Sequence, residues 1–168
     1  MRTRGRDRPT QASFSSRRTP ILIQELNPQE SRELLARTHL GRLGCAQGGQ
    51  PYVVPFYFGY HDNYLYSFSA LGRKIDWMRA NPFVCVEADE VVNSEQWVSV
   101  IISGYYQELP DTPEWQEERA FAYQLLTKKP EWWEPGYVKT ILHGVERPLV
   151  PVYYRIRIME MTGHRATP

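Results

Sequence analysis

From residue 27 onward the apolar positions fall into short blocks, and their period changes along the chain. Asn27-Pro28 reads as a helix start, since Asn caps a first turn and Pro fits inside one. Leu26 packs just ahead of the cap, and Leu34 and Leu35 supply the buried stripe of a helix expected to end near Thr38. Residues 40–46 form a short apolar strand. Gln47-Gly48-Gly49-Gln50 is a hairpin turn, because Gly-Gly tolerates positive φ. Residues 51–60 are a long aromatic and β-branched run, His61-Asp62-Asn63 turns the chain, and 64–70 is a third strand. Strands joined by turns this tight predict an antiparallel meander.

The period then lengthens. Ile75 and Met78 at i, i+3, with Trp77 beside them, predict a helix over 72–81, stopped by Asn81-Pro82. Residues 83–88 return to strand, and 96–109 form a long strand with a bend expected at Gly104. Trp115, Arg119, Ala122 and Leu126 share related faces of a helix over 113–127. Trp132-Trp133, between Pro130 and Pro135, reads as loop. Residues 150–159 alternate Val152, Tyr154, Ile156, Ile158 against Tyr153, Arg155, Arg157, the pattern of a last strand. About six strands in near-sequential order, with three helices, predict a mainly β fold: an antiparallel barrel or closed sheet, with the 72–81 helix plugging or crossing it.

A length of 168 residues fits one domain at 20–168 behind a tail at 1–19, and 42% hydrophobic residues are enough for a packed core. Aromatics at 13% exceed what a core of this size needs, so some of those rings are available for an interface or a ligand slot. The charge is nearly balanced but unevenly spread. The tail carries six arginines against Asp7 alone, a net +5 that leaves about −4 for the rest. With almost no apolar residues it is expected to be disordered. A basic arm can touch phosphates, but nucleic acid is not an expected partner. Cys45 and Cys85 make neither a disulfide framework nor a zinc spacing and fit a reducing, cytoplasmic setting. There is no apolar run of membrane-spanning length and no apolar core of a signal peptide.

The chemistry gathers at Ser67-Phe68-Ser69-Ala70-Leu71-Gly72-Arg73-Lys74. A strand ends in hydroxyl residues, a glycine turn follows, and two cations open a helix. Free N–H groups at a helix start face an anion, Arg73 can fork onto phosphate oxygens, and Lys74 adds a mobile point charge. Without an anion these cations oppose the helix dipole, at about 0.3–1 kcal/mol each. The bland alternative is that both merely solvate the helix. In Val54-Pro55-Phe56, Pro55 removes a ladder N–H, so this strand is expected at an edge or bulged, with main-chain groups open to a flat heterocycle. The four histidines show no metal spacing; His39 reads as a helix-end residue and His61 as a turn residue.

Residues from about 38 to 109 resemble the pyridoxamine-phosphate-oxidase-related, FMN-binding split-barrel families, nearest the flavin-nucleotide-binding, nitroimidazole-resistance-like branch. The carriers are Gly41-Arg42-Leu43-Gly44, Gly49-Gln50-Pro51-Tyr52-Val53-Val54-Pro55, Gly72-Arg73-Lys74-Ile75-Asp76, Arg79-Ala80-Asn81-Pro82-Phe83-Val84-Cys85 and Trp97-Val98-Ser99-Val100 leading to Gly104. Tyr154-Arg155-Ile156 and Met161-Thr162-Gly163 also fit. The resemblance implies a split β-barrel with FMN as cofactor. Arg73 and Lys74 would hold its phosphate, and Ser67, Phe68 and Ser69 would border the ribityl chain and phosphate. Val54, Pro55 and Phe56 would offer main-chain groups to the isoalloxazine, with Ser99 a polar neighbour.

It further implies a homodimer with flavin between subunits, for which Trp97, Tyr105 and Tyr106 are the interface candidates. Electrons would pass from a reduced nicotinamide to a small-molecule acceptor, with no side chain assigned as catalytic. Departures from the pattern narrow this. Val54 stands where the oxidase has an arginine, and Gly163-His164-Arg165 lacks the spaced His-x-Arg that grips the vitamin, so vitamin B6 oxidation is not expected. Phe68 replaces the histidine of many nitroimidazole-type relatives. The alternatives are a flavin or haem binder without turnover, with His39 or His143 as the axial donor, and a structural protein with an empty slot. Deleting residues 1–19 is expected to leave thermal stability and cofactor content unchanged, because the tail has no apolar anchor; a large drop in Tm of the truncated protein would refute this.

Overall fold

The computed structural model describes residues 20–128 and 139–168. The expected tail at 1–19 and the Trp132-Trp133 loop lie outside the described residues. The elements are β1 (Leu22–Glu25), α1 (Pro28–Arg37), β2 (Leu40–Gln47), β3 (Gln50–Tyr57), β4 (Gly59–His61), β5 (Tyr64–Ser69), α2 (Arg73–Ala80), β6 (Phe83–Asn93), β7 (Gln96–Glu108), α3 (Gln116–Thr127), β8 (Lys139–Leu142), β9 (Val145–Pro148) and β10 (Val152–Thr167). Asn27 caps α1 as its sequence requires, and more fully than foreseen. Its side chain accepts from the Glu30 N–H at 2.9 Å, and the Glu30 carboxylate accepts from the Asn27 N–H at 2.9 Å.

One antiparallel sheet runs β3-β2-β6-β7-β10-β5-β4, with β1 added beside the end of β10, while β8 and β9 form a separate hairpin. This mainly β, split-barrel architecture is the one expected, with two changes in connectivity. The meander does not form. β2 and β3 pair as a hairpin, but the 51–60 run divides at Phe58, and its second piece, β4, pairs with β5 at the opposite end of the sheet. Nor is the sheet closed by a hydrogen-bonded ladder, because β3 is a terminal strand and has β2 as its one ladder partner. Pro55 is tolerated there for the reason anticipated: an edge strand can spare an N–H.

Alternation along the strands sorts the side chains into two faces. Val84, Val86, Val100, Ile102, Tyr154 and Ile156 turn inward. α1 contributes Leu34 and Leu35 to the same core and α2 contributes Ile75 and Met78, all four fully buried, so the α2 helix plugs the split barrel. A second cluster, including Tyr66, Leu109, Ala122, Leu126 and Tyr153, seats α3 on the other side of β5 and β10. The predicted 113–127 helix begins as a 3-10 turn, Pro113–Trp115, before α3. β7 is continuous through Gly104, and a register shift falls opposite it on β10, between Ile158 and Glu160. β10 also runs to Thr167, well past the anticipated end at 159.

Close approach explains Gly41, where a Cβ would lie 2.6 Å from the Glu87 carbonyl and 3.3 Å from the Phe58 ring. Gly41→Ala is therefore expected to destabilise the protein by about 1–3 kcal/mol, the usual cost of overpacking a dense interior. At Gly72 a Cβ would meet nothing within 4 Å, and Gly72→Ala should stay within about 0.5 kcal/mol of wild type. Thermal denaturation of the two variants checks both; equal losses would refute this reading.

Candidate cofactor site

The two terminal regions of the sheet face a common gap, and α2 starts in it. Ala70-Leu71-Gly72 carries the chain from β5 to α2, whose N-cap, Gly72, has no side chain to occupy the first-turn N–H groups. Arg73 and Lys74 follow at once. Among the described residues neither makes an ion pair with a carboxylate. Arg73 is exposed, and its guanidinium lies 5.4 Å from the centroid of the Tyr52 ring on β3. Tyr52 is braced edge-on by Trp77 of α2, centroids 5.6 Å apart. Lys74 is half-buried beside Cys45 of β2, and burial holds its ammonium below the usual lysine range, an effect the Cys45 thiol partly offsets. Burial pushes the Cys45 thiol up, with Lys74 opposing. The result is two cations and uncapped helix N–H groups within one aromatic-walled corner, arranged to receive an anion such as phosphate.

Val54 and Phe56 turn inward from β3, Phe56 almost fully buried, and Pro55 turns outward opposite Arg42. Ser69 borders the turn into α2 and donates to the Ala70 carbonyl at 3.0 Å. Ser67 is 3% exposed and donates to the Tyr57 carbonyl at 2.7 Å, so its proton is already committed within the protein. The Phe68 side chain joins the α3 cluster against Tyr153, centroids 5.6 Å apart. Ser99 stands apart. It lies on β7 opposite Asp89 and His164, about 13 Å along the strand from Ser103, which is level with the Cys45 end of the sheet.

Tyr52, Trp77 and Cys45 were missed, although the pattern contains them. Trp77 sits one helical turn beyond Arg73, at i+4, and hence on the same face. The tight Gly48-Gly49 turn fixes Cys45 directly across from Tyr52. The two histidines considered as haem donors are not brought together. His143 occupies the exposed β8–β9 turn with φ 52°, and His39 is half-buried at the end of α1, its Nδ1 without a protein partner.

On the far side of the sheet, Val53, Phe83, Ile101 and Met159 are all about half exposed or more. Val53, Phe83 and Met159 line a cleft of about 490 Å³ together with Gly44, Cys85 and Ser103. Tyr105 belongs to this face, packed edge-on to Phe83 at 5.5 Å. Tyr106 does not. It is 5% exposed and packs at a tilt against Tyr154 in the core, which corrects its expected place at an interface.

An open antiparallel barrel plugged by a short helix, with that helix's cationic start in the gap, defines a small-ligand binding class of β protein. The pyridoxamine 5'-phosphate oxidase family model matches residues 27–165, and the chain belongs to that family. It is 39% identical over 146 residues to the uncharacterized protein RA0666 of Rhizobium meliloti, covering 87% of this chain and 97% of that protein. It is also similar to the crystal structure of a FAD-binding protein from Mesorhizobium loti: TM-score 0.72, 39% identity, 89% of this chain and 100% of the other. The fold is shared with the FAD binding protein of Mycobacterium smegmatis, at TM-score 0.60 and 22% identity, with 84% of this chain and 98% of the other covered.

Proposed function

We propose that this chain binds FMN at the start of α2 and acts, as a homodimer, as an FMN-dependent oxidoreductase on a small acceptor. The observation that carries the reading is the Arg73–Lys74 pair, unneutralised by any carboxylate among the described residues and set at an uncapped helix start. That arrangement opposes the helix dipole unless an anion is present. The FAD-binding name of the similar Mesorhizobium loti structure supports a flavin at this site. Bound flavin supplies the redox chemistry, and the protein supplies position and field. Arg73 and the first-turn amides would hold the phosphate, with Lys74 adding charge from the barrel side. The β3 main chain around Val54, Pro55 and Phe56 would frame the ring. Reduced nicotinamide is the proposed electron donor. A B6 phosphate, which would be an electron donor to the flavin, is not the proposed substrate, because Gly163-His164-Arg165 lacks the spaced His-x-Arg and Arg165 pairs with Glu30 at 3.1 Å.

The apolar outer face supports the second half of the proposal. A contiguous patch built from Val53, Phe83, Ile101, Met159 and Tyr105 on one side of a sheet is typical of an isologous interface. Ser99, remote from α2 within its own chain, would then serve the site of the second copy.

Three measurements test these readings. Purified protein should be yellow, with flavin absorbance released on denaturation; colourless protein that does not take up added FMN would refute flavin binding, and a haem spectrum would replace it. Wild type should sediment as a dimer at micromolar concentration and Ile101→Glu as a monomer; a wild-type monomer still holding flavin would defeat the dimer.

Arg73→Ala should weaken FMN about ten- to hundred-fold, since hydrogen bonds to charged groups are worth roughly 1.5–3 kcal/mol. Riboflavin, lacking the phosphate, should be unaffected. FMN affinity should also fall as pH rises, and begin to do so below the ordinary lysine range. Lys74 is charged at low pH and loses its proton at a lowered pKa. Lys74→Arg should flatten that dependence. Unchanged FMN affinity in Arg73→Ala and Lys74→Ala alike would place the phosphate elsewhere.

A further inference from the structure

The proposed site draws its parts from opposite ends of an open sheet. The ring-framing main chain belongs to β3, and the phosphate-binding cations follow β5. β3 runs through Phe58 into β4, which pairs with β5 from Gly59 opposite Tyr66, so the two ends of the sheet meet at this one corner. A side chain carries that contact one step further, onto β3 itself. Ser67, on β5, donates its hydroxyl at 2.7 Å to the carbonyl of Tyr57, the last residue of β3. The bond is shielded, with Ser67 3% exposed. It lands at the corner where the chain leaves β3, passes through the 1% exposed Phe58, and re-enters the sheet as β4. The Phe58 N–H is itself anchored on the His39 carbonyl at 2.9 Å. Directly across from Ser67 in the β5–β10 ladder stands Tyr154, fully buried, so the hydroxyl faces the core.

We infer that Ser67 is a positioning residue: its hydroxyl staples β5 to the last residue of β3, where the β4–β5 ladder ends, and fixes the β3 main chain relative to Arg73 and Lys74 without touching the flavin. This rests on the flavin reading above. It differs from the role of a donor to the ligand, because the one proton of the hydroxyl is spent on Tyr57.

The test has two arms. In the apoprotein, Ser67→Ala should speed hydrogen exchange of the Phe58 amide at least tenfold over wild type while leaving the Ile102 amide, in the central β7 strand, unchanged. In titrations, the same variant should weaken FMN and riboflavin alike, about tenfold each, the scale of one neutral hydrogen bond. Ser67→Thr keeps the hydroxyl and should restore both readouts to within about threefold. Loss of FMN affinity with riboflavin spared would make Ser67 a phosphate ligand and overturn the inference. So would unchanged exchange at Phe58, or equal acceleration at Phe58 and Ile102. If Ser67→Ala does not fold, a well-folded Ser67→Thr with wild-type exchange supports the staple, and a Thr variant that also fails assigns the effect to packing and overturns it. Should wild type bind no flavin, the titrations report the failure of the flavin reading, and the exchange arm still decides the staple.

Discussion

Phe58 is where this fold closes without a ladder. One run of chain, 51–60, has to serve both ends of the sheet, and it does so by breaking its strand at a buried aromatic residue. Phe58 stacks near Phe56, centroids 5.3 Å apart, and its N–H donates to the carbonyl of His39 at the α1–β2 junction. Those contacts hold the corner from inside, and the Gly41 backbone sits close enough that no side chain fits between β2 and the Phe58 ring. A closed ladder would have satisfied the β3 edge but sealed the gap. Leaving it open costs unpaired edge groups, which the exposed position of β3 lets water satisfy. The gap is then available to a helix.

The helix that fills it has two jobs with opposite requirements. Its far side must be apolar, and Ile75 and Met78 are fully buried against the sheet. Its first turn must stay open, and the cap position is a glycine with free space about it. The cations at the start are unfavourable for the isolated helix. Arg73 recovers some of this on the Tyr52 ring. Lys74 recovers less, since burial works against its charge and its neighbour is a thiol whose own ionisation is suppressed. Local consistency is given up at this one helix start, while α1 has a complete capping box. Such an isolated conflict marks a ligand site better than any motif does.

Most of the fold was legible in the chain because period and turn chemistry are local. Asn27-Pro28, Gly48-Gly49 and Asn81-Pro82 each placed an element boundary to within a residue or so. Partner choice between strands is not local. The 51–60 run reads as one strand because its alternation barely changes at Phe58, yet its halves join opposite ends of the sheet. β1 and the β8–β9 hairpin escaped notice because they are four residues each, too short for a period. Of the site, Arg73 and Lys74 stood out by charge against the dipole. Tyr52 and Trp77 did not, since an aromatic residue at a core-compatible position carries no mark of what it faces. Tyr106 illustrates the reverse: next to Tyr105 in sequence, it turns to the other face of β7 and packs on Tyr154.

The α3 side completes the mechanical argument. β5 delivers the chain into α2, so any play in β5 moves the cations. Inward, Ser67 ties it to β3. Outward, Tyr66 donates to the Glu118 carboxylate at 2.6 Å, and burial together with that bond pushes its phenol up to about 12. Arg155 of β10 donates to the same carboxylate and to Gln107, with its guanidinium 4.1 Å from the centroid of the Tyr64 ring and 5.6 Å from that of Trp115. Alternate residues of one six-residue strand are thus secured on both faces, by a single neutral hydrogen bond on the inside and a shared charged network on the outside. Breaking the outer network would leave a half-buried charge short of partners, whereas losing the inner hydroxyl leaves only the Tyr57 carbonyl without its donor. The outer contacts therefore secure β5 itself, and the inner one sets where β3 ends relative to the start of α2.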